Sequence, residues 1–293
     1  QGLEKVGAGV VPMSSGNTQK QIKIMKDFGA TVLIGTPSYA LRLAEVAQDM
    51  GLDPATDLNL RVGCFGGEGS TEAMRAKINE GKEKAFGLFA TENYGMSELI
   101  GPGVSGECRE LTGMHINEDH FIAEIIDPVT LEVLPEGETG ELVITPITKQ
   151  ALPLIRYRTK DITHLDYSPC ACGRTTARMA KIEGRTDDML IISGVNVFPS
   201  QIEEVLLSID GIGSNYLITV SKKGYLDKIE IDVEVIDHDL LDSVTKLDAL
   251  YAEIKTKLHT ILGIHPTIHL VEPKSLKRSE GKAQRVLDLR DEK

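Results

Sequence analysis

With 293 residues the chain exceeds a typical single domain, so two domains are expected, one larger than the other. Hydrophobic residues make up 41% and charged residues 26%, enough for a real core, which excludes wholesale disorder. A net charge of −12 argues against a protein that coats nucleic acid or anionic membrane, and the absence of Trp with only 4% aromatics argues against a base-stacking or polysaccharide-binding platform.

The chain opens on Gln1 and not Met, so it reads as a processed product or a fragment, with no leader pattern. No apolar run approaches the roughly 20 residues of a spanning helix. The first expected element is a buried-type strand at 31–35. Thr36 then supplies an N-cap and Pro37 a first-turn proline for a helix ending before Gly51. A second strand at 61–65 runs into the turn Gly66-Gly67-Glu68-Gly69 and a helix opened by Ser70 or Thr71. A third strand is expected at 86–89. Such alternation implies a parallel sheet covered by helices, with ligands at the carboxyl ends of the strands.

Between about 101 and 184 the pattern changes. Strands at 121–126 and 141–145, joined by turn-rich Asp127-Pro128 and a Pro135 to Gly140 turn, imply a β-rich subdomain built as a small barrel or curved sheet. Residues 101–150 hold ten acidic and two basic residues, so most of the negative charge resides there. A polar stretch around Gly184-Arg185-Thr186-Asp187-Asp188 separates this part from a C-terminal α+β unit of about a hundred residues. There Pro199 starts a helix, Ile229, Ile231, Val233 and Val235 alternate as a half-buried strand, and Leu247, Leu250, Tyr251, Ile254, Leu258 and Ile261 mark one helix face. Near the end the charge reverses: Lys274, Lys277, Arg278, Lys282 and Arg285 face only Glu280. That run is either a solvated segment or a loop suited to a polyanionic ligand.

The four cysteines are too few and too unevenly spaced for a secreted disulfide scaffold, which points to a reduced, cytoplasmic protein. Cys108, His115, Cys170 and Cys172 have the ligand types of a closed Cys₃His zinc site, structural and not catalytic. His120 or His164 could replace His115, and three plain reduced cysteines remain the competing reading. Cys64 lies in an expected strand and reads as packing only.

Four short motifs carry the chemistry. Tyr94-Gly95-Met96-Ser97-Glu98 offers a ring that can lie on a purine and a carboxylate that can hold magnesium. Arg156-Tyr157-Arg158-Thr159-Lys160-Asp161 offers an acceptor for two ribose hydroxyls. The stretch from Gly184 to Gly194 joins a polar hinge to a strand, and Ser279-Glu280-Gly281-Lys282 places a lysine in the basic run. In this order the four resemble the motif series of adenylate-forming enzymes. Thr36-Pro37-Ser38-Tyr39-Ala40, Gly113-Met114-His115-Ile116-Asn117-Glu118-Asp119-His120, Leu154 to Thr159 and Gly194 to Glu203 resemble, more closely, the phenylacetate–coenzyme A ligase family, from about Val11 to Arg290.

The resemblance implies an α/β plus α+β fold. Residues 1–186 would form part of a large AMP-binding domain, and residues 187–293 a small mobile C-terminal lid. It implies an enzyme that adenylates an aryl-acid carboxylate with ATP and Mg²⁺, then transfers the acyl group to coenzyme A, releasing AMP. In that scheme Gly66, Gly67 and Glu68 line the adenine site and Tyr94 stacks on the base. Ser97 contacts phosphate, Glu98 holds magnesium, Asp161 binds the ribose and Arg185 approaches the ribose–phosphate edge. Asp187 would be the hinge, Gly194 would leave room for pantetheine, and Lys282 would bridge carboxylate and α-phosphate. Tyr39, Phe65 and Ala90 could flank the aryl group. Hydrolase chemistry is not supported, since no Cys–His or Ser–His–Asp arrangement stands out.

The family's upstream Gly-Lys phosphate loop has no counterpart; Ser14-Ser15-Gly16-Asn17-Thr18-Gln19-Lys20 matches instead a helix start before the 31–35 strand. The chain thus resembles a family member lacking its N-terminal portion, incomplete for catalysis by itself. A catalytically silent nucleotide- or coenzyme A-binding fragment and a zinc-stabilised module are the competing readings. Expected partners are the aryl acid and coenzyme A, with no nucleic acid or membrane, and either a second copy or a separately encoded N-terminal segment.

Overall fold

The computed structural model describes residues 2–13, 16–79, 86–192, 195–223, 226–237, 240, 243–278 and 283–290. A short helix α1 (Gly2–Lys5) precedes α2 (Thr18–Phe28), which Asn17 caps by accepting the Lys20 N–H and which Gly29 ends in the left-handed region. Strand β1 (Val32–Gly35) leads to α3 (Pro37–Asp49), where the Thr36 hydroxyl accepts from Tyr39 N and Pro37 sits in the first turn, as expected. After a single turn α4 (Pro54–Asp57), β2 (Val62–Phe65) feeds α5 (Glu72–Asn79). Strands β3 (Phe89–Met96), β4 (Gly101–Glu107) and β5 (Met114–Ile116) follow.

The third strand starts where the sequence reading ended it. Phe86 and Leu88 are buried in front of it, and the polar run Thr91-Glu92-Asn93 lies inside the sheet because each side chain finds a partner there. Thr91 Oγ1 donates to Gly63 O, Glu92 pairs with Arg75, and Asn93 Nδ2 donates to Phe65 O. Within this sheet β1, β2 and β3 run parallel and β4 and β5 continue it antiparallel, so it is mixed rather than wholly parallel.

A second antiparallel sheet forms from β6 (Phe121–Ile126), β7 (Gly140–Pro146) and β8 (Tyr157–Thr163). The short β9 (Leu165–Asp166) and β10 (Arg178–Met179) extend the first sheet to seven strands, β1-β2-β3-β4-β5-β10-β9. Strand β11 (Gly184–Arg185) completes the second sheet, β11-β8-β7-β6. The β-rich part is therefore two open sheets packed face to face, not a closed barrel. Val104 and Ile116 from one, with Leu99 of the turn before β4, meet Phe121, Leu142 and Ile144 from the other in a shared core.

The C-terminal part begins with the hairpin β12 (Leu190–Ile192) and β13 (Val195–Val197), then α6 (Pro199–Leu207). A long antiparallel pair, β14 (Ile212–Lys223) and β15 (Leu226–Val235), is flanked in parallel by β16 (Thr267–Val271) beside β15 and β17 (Val286–Asp288) beside β14. Ile229, Ile231, Val233 and Val235 are all buried, as their alternation requires. Helix α7 (Val244–Leu262) buries Leu250, Ile254, Leu258 and Leu262, whereas Tyr251 and Ile261 face solvent. A four-residue stripe suffices because α7 covers one face of a narrow sheet. Among the described residues three cores result, one under the helices of the first part, one between the two sheets of the β-rich part and one in the C-terminal part, and Leu207 of α6 packs into the core built on α3 and α5.

Candidate active site

The carboxyl ends of β2 and β3, strand β11 and the chain before β17 surround a cleft of about 750 Å³. Gly66, Gly67, Glu68, Tyr94, Asp161, Arg185 and Asp187, from separate motifs, all line it. Two glycines are required by close backbone approach. A Cβ on Gly66 would lie 2.4 Å from Asn93 O, and one on Gly95 would lie 2.0 Å from Gly101 O. Glu68 is fixed at the rim of α3, its Oε1 accepting the Ser38 N–H at 2.6 Å. That amide is one of the unpaired donors of a helix N-terminus, where a carboxylate is favoured.

Asp161 is the centre of the polar wall. It is 5% exposed, accepts from Tyr94 Oη at 2.6 Å on Oδ2, and pairs with Arg185 Nη1 at 3.1 Å on Oδ1. Burial raises its pKa, against the pull of the Tyr94 hydroxyl and the Arg185 cation. Burial and the Asp161 charge likewise push the Tyr94 phenol up. A carboxylate offers about four lone-pair sites, so two remain for further donors. Arg185 also holds Asp187 at 2.9 and 3.0 Å, and this contact keeps the Asp187 carboxyl low. Arg185 is thus a clamp between the second sheet and the start of the C-terminal part.

Phe65 lines the cleft, but Ala90 packs in the core beneath it and Tyr39 is half-buried, its hydroxyl 3.2 Å from Thr18 Oγ1. Side chains alternate across β3, which turns Ala90 toward the helix layer. Ser97 and Glu98 are exposed on the turn directly after β3, next to Gly95 and Met96, which line the cleft, and the Glu98 carbonyl accepts from Lys149. Gly194 and Lys282 lie outside the described residues. The basic run has carboxylate partners: Lys274 Nζ is 2.6 Å from Asp49, Arg278 pairs with Glu234 at 2.6 Å and Glu45 at 3.4 Å, and Arg285 approaches Glu203.

One ion-pair system escaped the sequence reading. Buried Arg75 on α5 reaches both Glu92 and Glu107 at 2.7 Å, and Lys181 lies 3.3 Å from Glu92. Burial raises the Glu107 pKa, opposed by Arg75. The system ties α5 to β3 and β4, and its Glu92 and Lys181 line the cleft. The only local signal was an arginine among the buried positions Met74 and Ile78 of α5.

The Cys/His group also assembles. Ligand atoms of Cys108, His115, Cys170 and Cys172 all lie within 4.8 Å of one another. Cys108 Sγ is 3.7 Å from Cys170 Sγ, close to the roughly 3.8 Å edge of a tetrahedron with 2.3 Å Zn–S bonds. His115 turns Nε2 to Cys172 Sγ at 3.4 Å while Nδ1 meets Thr176 Oγ1 at 3.2 Å, an outer contact that orients the ring. The Cys172 N–H brings the Cys170 thiol down to about 6. His120 instead contacts Thr148, and neither it nor His164 belongs to the group. Cys64 is half-buried and accepts from Thr91 Oγ1. The donors present suit a structural zinc ion.

Comparison with known proteins sets the class first. The model of the AMP-binding enzyme family matches residues 5–146, and that of the AMP-binding enzyme C-terminal domain matches residues 194–290. The phenylacetate–coenzyme A ligase of Thermus thermophilus is 45% identical over 303 aligned positions, covering 99% of this chain and 67% of that protein. The chain belongs to the phenylacetate–coenzyme A ligase family of adenylate-forming enzymes. It spans 64–67% of the length of the phenylacetate–coenzyme A ligases it matches. Among solved structures, 2-hydroxyisobutyryl-CoA ligase in the postadenylation state superposes with a TM-score of 0.89 at 28% identity, covering 98% of this chain and 61% of that one. In its thioesterification state the same ligase gives only 0.58, covering 99% of this chain and 61% of that one. The two main parts of the chain are therefore arranged more as in the first of these two structures than as in the second.

Proposed function

We propose that the protein of which this chain forms part is an AMP-forming phenylacetate–coenzyme A ligase. The observation that carries the reading is the convergence of Tyr94, Asp161 and Arg185 on one cleft wall. In the first step an oxygen of the aryl-acid carboxylate attacks the α-phosphorus of ATP, and the bond to pyrophosphate breaks. Asp161 receives the ribose hydroxyls, the Tyr94 ring covers the base, and Phe65 offers an apolar wall to the aryl group. Glu98 would hold Mg²⁺, whose charge offsets that of the phosphates. Lys282 would neutralise the meeting anions. In the second step coenzyme A thiolate attacks the acyl carbon and AMP leaves, with the thiol needing little base help near its own pKa of about 8.5. Gly194 would then make room for pantetheine.

Residues 1–186 act in this scheme as the nucleotide-binding part and residues 187–293 as the lid, with Asp187 at the pivot. Cys108, His115, Cys170 and Cys172 hold a structural zinc ion in a reducing cytoplasm. The test is pyrophosphate release with ATP, Mg²⁺ and phenylacetate, followed by AMP and thioester on adding coenzyme A. Release of ADP, or no carboxylate-dependent pyrophosphate from the intact protein, would remove the reading.

A further inference from the structure

Glu68 has a second engagement that its place in the nucleotide cleft does not require. While Oε1 holds the Ser38 N–H at 2.6 Å, Oε2 accepts the Ala283 N–H at 3.2 Å, from a residue 215 positions later. That amide belongs to the peptide bond joining Lys282 to Ala283. Just beyond it the chain is secured from the other side. Arg285 lies 4.5 Å above the buried Tyr216 ring and 3.9 Å from Glu203, its carbonyl accepts from Ile218 N at 2.8 Å, and β17 then pairs with β14. Ala283 is thus the point where a strand built into the C-terminal part meets a carboxylate anchored on the large part.

We infer that Glu68 is a positioning residue of the first half-reaction: it docks the Ala283 amide onto α3 and holds the C-terminal part in the adenylation pose. The inference rests on the proposed ligase function, in which Lys282 acts during adenylation only. One oxygen is committed to a helix N-terminus within the large part, and the other reports whether the C-terminal part has arrived. Rotation for the thioester step breaks the Ala283 bond and leaves the Ser38 bond intact. An adenine-lining role alone would involve neither amide.

Glu68→Gln separates these roles. The amide keeps one acceptor oxygen, which the shorter Ser38 bond retains, and presents its NH₂ to the Ala283 N–H, donor against donor. Carboxylate-dependent pyrophosphate release should fall about 10- to 100-fold, as for loss of one charged hydrogen bond. Thioester formation from supplied phenylacetyl adenylate and the Kd for AMP should stay within about twofold. Hydrogen exchange of the segment from Ala283 to Val286 should accelerate while that of α3 does not. Equal loss in both half-reactions with weaker AMP binding would place Glu68 at the nucleotide and overturn the inference, as would unchanged adenylation or unchanged exchange. If the wild-type protein releases no pyrophosphate, the ligase reading fails, and the exchange comparison still decides whether Glu68 docks Ala283.

Discussion

Replacing Asp161 by asparagine should weaken AMP binding about 30- to 150-fold. The carboxylate is 5% exposed and already engaged by Tyr94 at 2.6 Å and Arg185 at 3.1 Å, so its position is fixed before any ligand arrives. Two ribose hydroxyls donating to a carboxylate make charge-assisted bonds, each contributing about 1.5–3 kcal/mol. Asparagine has a single acceptor oxygen, so one bond is lost and the other becomes neutral, a total near 2–3 kcal/mol. The fold should survive, because the amide oxygen can face Arg185 while the NH₂ faces a Tyr94 hydroxyl turned to accept. Calorimetric titration of AMP reads the effect directly, with Tyr94→Phe as the control that keeps the carboxylate. A change below about threefold for Asp161→Asn would refute the ribose-binding role. Because burial raises the Asp161 pKa, AMP affinity should also begin to fall, as pH is lowered, above the ordinary carboxylate range.

Metal analysis of protein purified without added zinc should find about one equivalent, and Cys170→Ser should lose it and lower Tm by several degrees; a full equivalent retained by the variant would exclude Cys170 as a ligand. Arg278→Ala leaves Glu234, only 3% exposed, without its guanidinium partner, so unfolding in urea should show about 3–5 kcal/mol of lost stability. A loss under about 1 kcal/mol would mean the pair is solvated. Lys77 donates to Ile212 O at 3.1 Å across the two parts, and burial pulls its pKa down to about 8. Between pH 8 and the unfolded value near 10.4 the unfolded chain binds the extra proton, so this group makes stability rise with pH by up to about 3 kcal/mol. Lys77→Met should flatten that rise, and parallel curves for the two proteins would contradict the assignment.

The elements around β1, β2 and α3 were readable because their signals are local: an apolar run, a capping Thr36 and a following Pro37. The start of β3 was not, since Thr91-Glu92-Asn93 looks like a polar link until partners from α5 and β2 satisfy it. Tyr94, Asp161 and Arg185 could be named from motif order, yet the bond between Tyr94 and Asp161 spans 67 residues and no spacing rule predicts it. The basic run of the C-terminal part drew attention as a possible ligand loop. Most of its described charge is directed at Asp49, Glu45, Glu234 and Glu203, partners that only the folded interface brings near. The metal group was legible in its residue types, and the choice of His115 over His120 and His164 needed the pairing of β5 with β10.

In the proposed ligase reaction the carboxylate itself attacks ATP. Phenylacetate labelled with ¹⁸O in its carboxylate, incubated with the intact protein, ATP, Mg²⁺ and coenzyme A, tests it in one mass spectrum. An acyl adenylate places one carboxylate oxygen on phosphorus, so AMP should emerge carrying a single ¹⁸O. AMP without label, or label in inorganic phosphate alongside ADP, would contradict it.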